Sequence, residues 1–100
     1  MTVWFVSRHQ GAIDWIAEQK LWQVDRVVPH LAVEEINAGD VVLGTLPVHL
    51  AAQVCERGAR FYFLQMPQSL ALRGSVFSAQ EMREAGASLK ASVVRRPMAG

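Results

Sequence analysis

The sequence predicts an α/β protein, a three-layer sandwich in which a mainly parallel sheet lies between helices. Short apolar runs without polar alternation, typical of strands buried on both faces, occur at residues 2–7, 41–43 and 59–64. Segments with helical or irregular patterns separate these runs. The predicted elements therefore follow the order β-α-β-β-α-β-α-β. Because 51% of the 100 residues are apolar, we expect one domain over residues 1–94.

The amino-terminal part of the chain predicts two strands joined by a helix. Residues 2–7, TVWFVS, are β-branched and aromatic and indicate a central strand. Apolar residues recur at helical spacing over Gln10–Leu21, where Asp14 should favour the positive helix end. Residues 24–28, VDRVV, indicate a second strand that Pro29 terminates. The connection that follows has room for one helical turn.

A third strand and a second helix form the centre of the predicted fold. Val41–Leu43 should be a buried strand that stops at Gly44. Thr45 offers a side-chain oxygen to free backbone N–H groups, and Pro47 is favoured in a first helical turn. The sequence therefore predicts a helix that begins within a residue of Leu46.

This second helix should end near Arg57, because Gly58 suits the left-handed position after a helix. Cys55 falls on its apolar face and is predicted to be a core residue rather than a nucleophile. A strand that leads directly into a helix leaves unpaired N–H groups beyond the sheet edge. Such a position is a ready site for an anion.

The carboxyl-terminal part predicts two further strands. Residues 59–64, ARFYFL, indicate the fourth strand, and the irregular segment that follows, 65–75, is a candidate lid. Apolar and polar residues alternate over 87–93, the pattern of a half-exposed edge strand. Residues 95–100 are expected to fray.

A short third helix is predicted between these two strands. Ser78 and Glu81 have the spacing of a capping box, in which each side chain bonds the other's backbone N–H. Gly86 stands where a glycine commonly follows a helix. The predicted helix covers Ala79–Ala85.

Composition limits the classes of function. The formal net charge of +1 argues against a broad basic surface for long nucleic acid but allows a small anion held by a few charges. A single cysteine excludes an internal disulfide, and the apolar run near Met1 is too short for a signal peptide or membrane span. We therefore expect a cytoplasmic protein. The histidines and the cysteine lack metal-ligand spacing, so no metal and no other cofactor is predicted.

Residues suited to anion binding follow the predicted strands. In open parallel sheets, ligands bind beyond the carboxyl ends of the strands, so the segments that follow them should converge. The candidate residues in these segments are Ser7, Arg8, His9, His30, Gly44, Thr45, Leu46, His49 and Arg73.

Four segments of the chain resemble a known family. They are VSRHQGA at 6–12, VDRVVPHL at 24–31, GDVVLGTLPVHLAAQVCERGARFYFL at 39–64 and ALRG at 71–74. Together they are similar to the Csx-sixteen family, small accessory proteins encoded near type III CRISPR systems. The resemblance implies a Rossmann-like (CARF-like) homodimer of the ring-nuclease group. Such proteins degrade cyclic oligoadenylate second messengers, here with cyclic tetra-adenylate as the expected ring, and thereby switch off the CRISPR-activated effectors.

The candidate residues are compatible with metal-independent cleavage of RNA, in which a ribose 2′-hydroxyl attacks the neighbouring phosphate and leaves a 2′,3′-cyclic phosphate. Arg8 can stabilise the developing charge and His9 can act as general acid or base. Ser7 and Thr45 can donate hydrogen bonds to phosphate oxygens, while Gly44 allows close approach to the backbone. Arg73 is a candidate contact from the predicted lid.

Each candidate also has a purely structural interpretation. Arg8 can pair with a carboxylate, His9 and His30 can be ordinary loop or turn residues, and His49 can face away from the ligand. Serine and threonine residues at these positions are common as turn and cap residues. The tryptophans are expected in the core or in a dimer contact rather than as base-stacking platforms.

Three functional hypotheses follow. The first is the ring nuclease, with Ser7, Arg8 and His9 as its catalytic residues. The second is a non-catalytic module that senses or sequesters a cyclic oligoadenylate, with Ser7, Arg8 and Thr45 used for binding alone. The third is a structural adaptor whose strand ends bind nothing and whose interface contains Trp15 or Trp22.

Overall fold

The computed structural model describes residues 1–20, 22–65 and 78–94. The predicted lid begins at Gln65, but this residue belongs to β4. The rest of the predicted lid, Arg73 within it and the predicted frayed tail at 95–100 lie outside the described residues. In chain order the elements are β1 (Val3–Val6), α1 (Gln10–Glu18), β2 (Arg26–Val28), a 3₁₀ turn (Val33–Glu35), β3 (Val41–Gly44), α2 (Val48–Glu56), β4 (Arg60–Gln65), α3 (Ala79–Ala85) and β5 (Ser88–Ser92).

Within the described residues, five strands form one sheet in the order β2-β1-β3-β4-β5. The first four strands are parallel, and β5 runs antiparallel to β4. The α/β class, the mainly parallel sheet and the edge position predicted for the last strand are therefore confirmed. Because β1 to β4 are parallel, their carboxyl ends meet at one edge of the sheet.

The sheet separates two apolar cores, since alternate residues of each strand point to opposite faces. One core lies between the sheet and the helices α1 and α3, and its most buried members include Phe5, Ile16, Leu43 and Met82. The other lies between the sheet and α2 with the 3₁₀ turn, and includes Trp4, Ile36, Val42 and Val54. The molecule is thus layered as helix, sheet and helix.

The predicted start of the second helix is wrong. Pro47 is the N-cap, with an extended backbone at φ −56° and ψ 148°, and α2 begins at Val48. A residue that precedes proline is disfavoured in the helical region, and Leu46 is moreover buried in the core. Thr45 therefore lies two residues before the N-cap and does not cap the helix.

Other element bounds also differ from the prediction. The first helix ends at Glu18 rather than Leu21, because the Gln19 N–H bonds the carbonyl of Ile16 and the chain becomes extended there. Asp14 lies beyond the first turn of α1 and accepts a hydrogen bond from Gln10 Nε2 at 2.9 Å. Its predicted interaction with the positive helix end is therefore wrong. The second strand begins two residues later than predicted and the fourth strand one residue later.

The third helix matches its prediction. Ser78 Oγ accepts a hydrogen bond from the Glu81 N–H at 3.1 Å, and Glu81 Oε1 accepts one from the Ser78 N–H at 3.1 Å. Gly86 ends the helix in the left-handed region at φ 84°. The capping box and the terminal glycine thus mark the two ends of this short helix with local signals, while Met82 packs it into the core.

A buried carboxylate that sequence reasoning missed supports the amino ends of the central strands. Asp40 Oδ1 accepts a hydrogen bond from the Thr2 N–H at 3.0 Å, and Oδ2 accepts bonds from the Asn37 N–H at 3.0 Å and Trp4 Nε1 at 3.4 Å. Burial alone would raise the pKa of this carboxyl. These hydrogen bonds and the positive charge of the chain's N-terminus outweigh burial and hold the pKa of Asp40 below its ordinary value.

We expect Asp40→Asn to lower the free energy of unfolding at neutral pH by about 1–3 kcal/mol, because an amide cannot accept all three hydrogen bonds. A carboxyl whose pKa is lowered by folding stabilises the protein above the pKa of the unfolded chain, about 3.9, and this contribution is lost as the pH falls through the folded-state pKa. Urea unfolding of both proteins from neutral pH to pH about 3 measures the difference.

The matched control for this prediction is Asp25→Asn. Asp25 is exposed and its Oδ2 accepts one backbone hydrogen bond, from Val3 at 2.8 Å, which an asparagine oxygen can also accept. This variant should cost about 1 kcal/mol or less. Equal losses of unfolding free energy in the two variants would contradict this explanation. So would a loss in Asp40→Asn that does not become smaller at low pH.

Arg57 fixes the connection between β2 and β3. Its Nε donates to the carbonyl of Ile36 at 2.9 Å, and its Nη2 donates to the carbonyl of Glu34 at 3.3 Å. The carboxyl end of α2 therefore holds the 3₁₀ turn in place. None of the described helices is long and apolar enough to cross a lipid bilayer.

Candidate functional site

A cavity of about 430 Å³ opens at the sheet edge where the parallel strands end. Segments that follow β1, β2 and β3 form its walls, together with the first turns of α1 and α2. Its lining residues are Val6, Ser7, Arg8, His9, Ala12, Pro29, His30, Leu31, Thr45, Leu46, Pro47, Leu50 and Leu64. Six of the candidate residues are thus brought together, namely Ser7, Arg8, His9, His30, Thr45 and Leu46.

The loop after β1 is held by its own hydrogen bonds. Ser7 Oγ accepts a hydrogen bond from the His9 N–H at 3.1 Å, and the His9 carbonyl accepts bonds from Ala12 and Ile13 at 3.1 Å each. His9 is therefore the N-cap residue of α1, although its side chain does not cap the helix. The Ser7 hydroxyl still has a hydrogen to donate, because a hydroxyl both donates and accepts.

The loops after β1 and β2 lie side by side. Val6 and Val28 are partners in the parallel ladder, and the Ser7 N–H extends this pairing by donating to the Val28 carbonyl at 3.0 Å. Arg8 and His30 each stand two residues beyond the Val6–Val28 pair. The ladder therefore presents a guanidinium and an imidazole from neighbouring loops to the same cavity.

The backbone at Gly44 closely approaches the neighbouring strand, β1. Gly44 has a φ of +127°, and a Cβ placed on it would collide with the carbonyl oxygen of Val6. Gly44 does not line the cavity. Close packing of β3 against β1 therefore explains the glycine at this position. The predicted approach of a ligand to its backbone is not needed to explain it.

The first turns of α1 and α2 border the cavity at His9 and Pro47, their N-cap residues. Neither helix has a side-chain cap or an acidic residue in its first turn. The first N–H groups of a helix lack intrahelical partners, and the helix dipole makes this end positive. Both ends therefore favour an anion at this position.

The cavity combines positive charge with an apolar wall. Arg8, His9 and His30 are its ionisable lining residues, and no carboxylate is found among the described residues that line it. Its apolar wall is formed by Pro29, Leu31, Leu46, Pro47 and Leu50. A phosphate group fits the cationic side, and the flat ring of a nucleobase fits the apolar side.

Sequence reasoning missed most of this apolar wall. Pro47 and Leu50 are three residues apart at the start of α2, a spacing that places both on one side of a helix. This spacing is the sequence signal from which these two wall residues could have been predicted. His49 lies between them, is exposed and is outside the cavity lining.

The remaining reactive residues do not form a second centre. Cys55 is half-buried against the core between the sheet and α2. Within residues 1–20, 22–65 and 78–94, no cluster of three or more His, Cys, Asp or Glu side chains is placed to hold a metal ion. The indoles of Trp4 and Trp15 are buried in the two cores, and Trp22 packs edge-on against Tyr62 at a centroid distance of 4.8 Å.

Comparison with known proteins identifies a family. A family model described as "Putative CRISPR-associated protein (Cas_VVA1548)" matches residues 4–95, a range that contains every residue lining the cavity. Comparisons with curated proteins and with solved structures give no match. The CRISPR association implied by the resemblance is thus confirmed at the level of a family. The chain belongs to the Cas_VVA1548 family of CRISPR-associated proteins.

Proposed function

We propose that this protein is a ring nuclease of the Csx-sixteen group that degrades a cyclic oligoadenylate, with cyclic tetra-adenylate as the favoured ring. In this proposal it adopts a Rossmann-like (CARF-like) fold, acts in the cytoplasm as a homodimer and ends type III CRISPR signalling. The observation that carries the proposal is the cavity, which places Arg8, two histidines and two uncapped helix ends beside an apolar wall. Family membership supplies the CRISPR context.

The proposed reaction uses a nucleophile that the substrate itself provides. A ribose 2′-oxygen attacks the adjacent phosphorus, the bond to the 5′-oxygen breaks, and a 2′,3′-cyclic phosphate and a 5′-hydroxyl result. The protein contributes by holding the 2′-oxygen in line and by stabilising the charge on the phosphate. No metal ion takes part in this proposal.

Each polar lining residue has a defined task in this reaction. Arg8 pairs with the non-bridging phosphate oxygens, which a guanidinium can contact in a bidentate manner. Ser7 and Thr45 donate hydroxyl hydrogens to the same phosphate, and the backbone N–H groups at the start of α1 and α2 hold it or its neighbour. His9 transfers a proton.

The size of the cavity supports a dimer. Cavities of about 300–1,000 Å³ typically enclose one drug-sized molecule, whereas a cyclic tetranucleotide is several times larger. A single cavity of about 430 Å³ therefore accommodates part of such a ring. Because the ring is two-fold symmetric, two protomers related by a two-fold axis can each hold an equivalent half.

Incubation with three rings tests the proposal. Purified protein is mixed with cyclic tri-, tetra- or hexa-adenylate in EDTA, and the products are separated by chromatography and identified by mass spectrometry. We expect conversion of the tetra-adenylate ring to linear di-adenylate. An intact ring that co-elutes with the protein would instead support the sensor or sequestering module, and rings that neither react nor bind would refute both.

A further inference from the structure

We propose that His30 is a catalytic residue, the second of two proton carriers, and that it acts with His9 on the two reacting oxygens of the scissile phosphate. This inference rests on the proposed ring-nuclease function. It goes beyond that function, which assigns proton transfer to His9 alone, by giving the second proton transfer to His30.

The placement of His30 follows from the ladder between β1 and β2. The Ser7 N–H to Val28 carbonyl bond, at 3.0 Å, ties the two loops together beyond the last pair of strand residues. His9 stands two residues after Ser7, and His30 stands two residues after Val28. Both histidines line the same cavity from these two neighbouring loops.

The far end of the loop that carries His30 is also fixed. Arg57 donates hydrogen bonds to the carbonyls of Glu34 and Ile36, which anchors the 3₁₀ turn only a few residues after His30. His30 is exposed and lines the cavity, so water can reach it. It is therefore positioned by the backbone and accessible for repeated turnover.

The electrostatic surroundings of His30 are simple. The loop after β1 contributes Arg8 and His9 to the cavity, whereas the segment after β3 and the first turn of α2 contribute Thr45, Pro47 and Leu50. Arg8 and His9 are thus the charged or titratable side chains that share the cavity lining with His30. Histidine is the residue type that most often acts as a general acid or base, so two imidazoles can supply both proton transfers.

The chemistry requires two proton transfers. One imidazole accepts the proton of the 2′-hydroxyl as its oxygen bonds to phosphorus. The other, in its protonated form, donates a proton to the 5′-oxygen as the bond from that oxygen to phosphorus breaks. Because the two oxygens lie on opposite sides of the phosphorus, two separate groups from two loops suit the reaction better than one.

The test compares pH–rate profiles of wild type and His30→Ala under single-turnover conditions with cyclic tetra-adenylate. Wild type should show a bell-shaped profile, with one limb for each imidazole. In His30→Ala the rate should fall by about 10²-fold or more and one limb should disappear, while ring affinity changes little. Added imidazole should restore part of the rate.

Glu35→Gln is the matched control, because Glu35 is an exposed titratable residue of the same connection outside the cavity lining. It should keep the wild-type rate and profile, and thermal unfolding should show that both variants are folded. A His30→Ala rate within about threefold of wild type, far below the usual effect of losing an acid or base, would overturn the proposal. A reduced rate with both limbs retained would overturn it as well. Failure of wild type to cut any ring would instead reject the proposed function itself.

Discussion

Gly44→Ala should lower the free energy of unfolding by about 3 kcal/mol or more, from the combined cost of backbone strain and steric overlap. The φ of +127° at this position is unfavourable for any residue with a Cβ. The new methyl group would also overlap the Val6 carbonyl oxygen, which is backbone and can move only if β1 separates from β3. Denaturant unfolding monitored by tryptophan fluorescence measures the loss.

Gly86→Ala separates backbone strain from the collision. Gly86 also has a positive φ, +84°, but a Cβ there meets nothing within 4 Å. Its replacement should therefore cost only the strain of the left-handed conformation, about 1–2 kcal/mol. If both alanine variants lose the same stability, β1 and β3 do not approach as closely as described.

Arg8→Gln should reduce turnover of the ring by about 10²–10³-fold, the usual loss when one donor to a developing oxyanion is removed. Glutamine keeps a polar side chain but removes the charge and the bidentate geometry of the guanidinium. The effect should be larger on turnover than on ring affinity, because negative charge on the phosphate oxygens is stabilised most strongly in the transition state. Single-turnover rates and equilibrium binding, measured separately, provide the two values.

Arg60→Gln is the matched control for this variant. Arg60 is an exposed arginine at the amino end of β4, whereas the cavity lies at the carboxyl ends of the strands. Its replacement should leave turnover and affinity unchanged. If Arg8→Gln weakens affinity and the wild type shows no turnover, the cavity binds the ring without cutting it.

Local patterns predicted much of the fold. The capping box of Ser78 and Glu81 and the final Gly86 specify α3 from neighbouring residues alone, so its bounds are as predicted. The start of α2 was predicted too early, because the helical conformation is disfavoured for the residue before Pro47 and Leu46 is buried in the core. The contacts of Asp40 join residues up to 38 positions apart, and such partners have no local signature.

The position of the site was easier to predict than the residues that line it. Parallel strands end at one edge, so the prediction that Arg8, His30 and Thr45 converge required only the order of the elements. Leu46 was a candidate, but the rest of the apolar wall was missed because it combines residues 29–31 with residues 46–50, which meet only in the folded protein. His49 was a candidate site residue because it follows Gly44 closely in the sequence. The helix that contains it begins later than predicted, and His49 lies outside the cavity lining.

The most direct test of the central claim follows the oxygen atoms of the reaction in water enriched in ¹⁸O. Wild-type protein is mixed with cyclic tetra-adenylate in EDTA, and the earliest linear product is analysed by mass spectrometry. If a ribose 2′-hydroxyl is the nucleophile, this product ends in a 2′,3′-cyclic phosphate without ¹⁸O. An earliest product that already carries ¹⁸O on a terminal phosphate would show direct attack by water and would contradict the account.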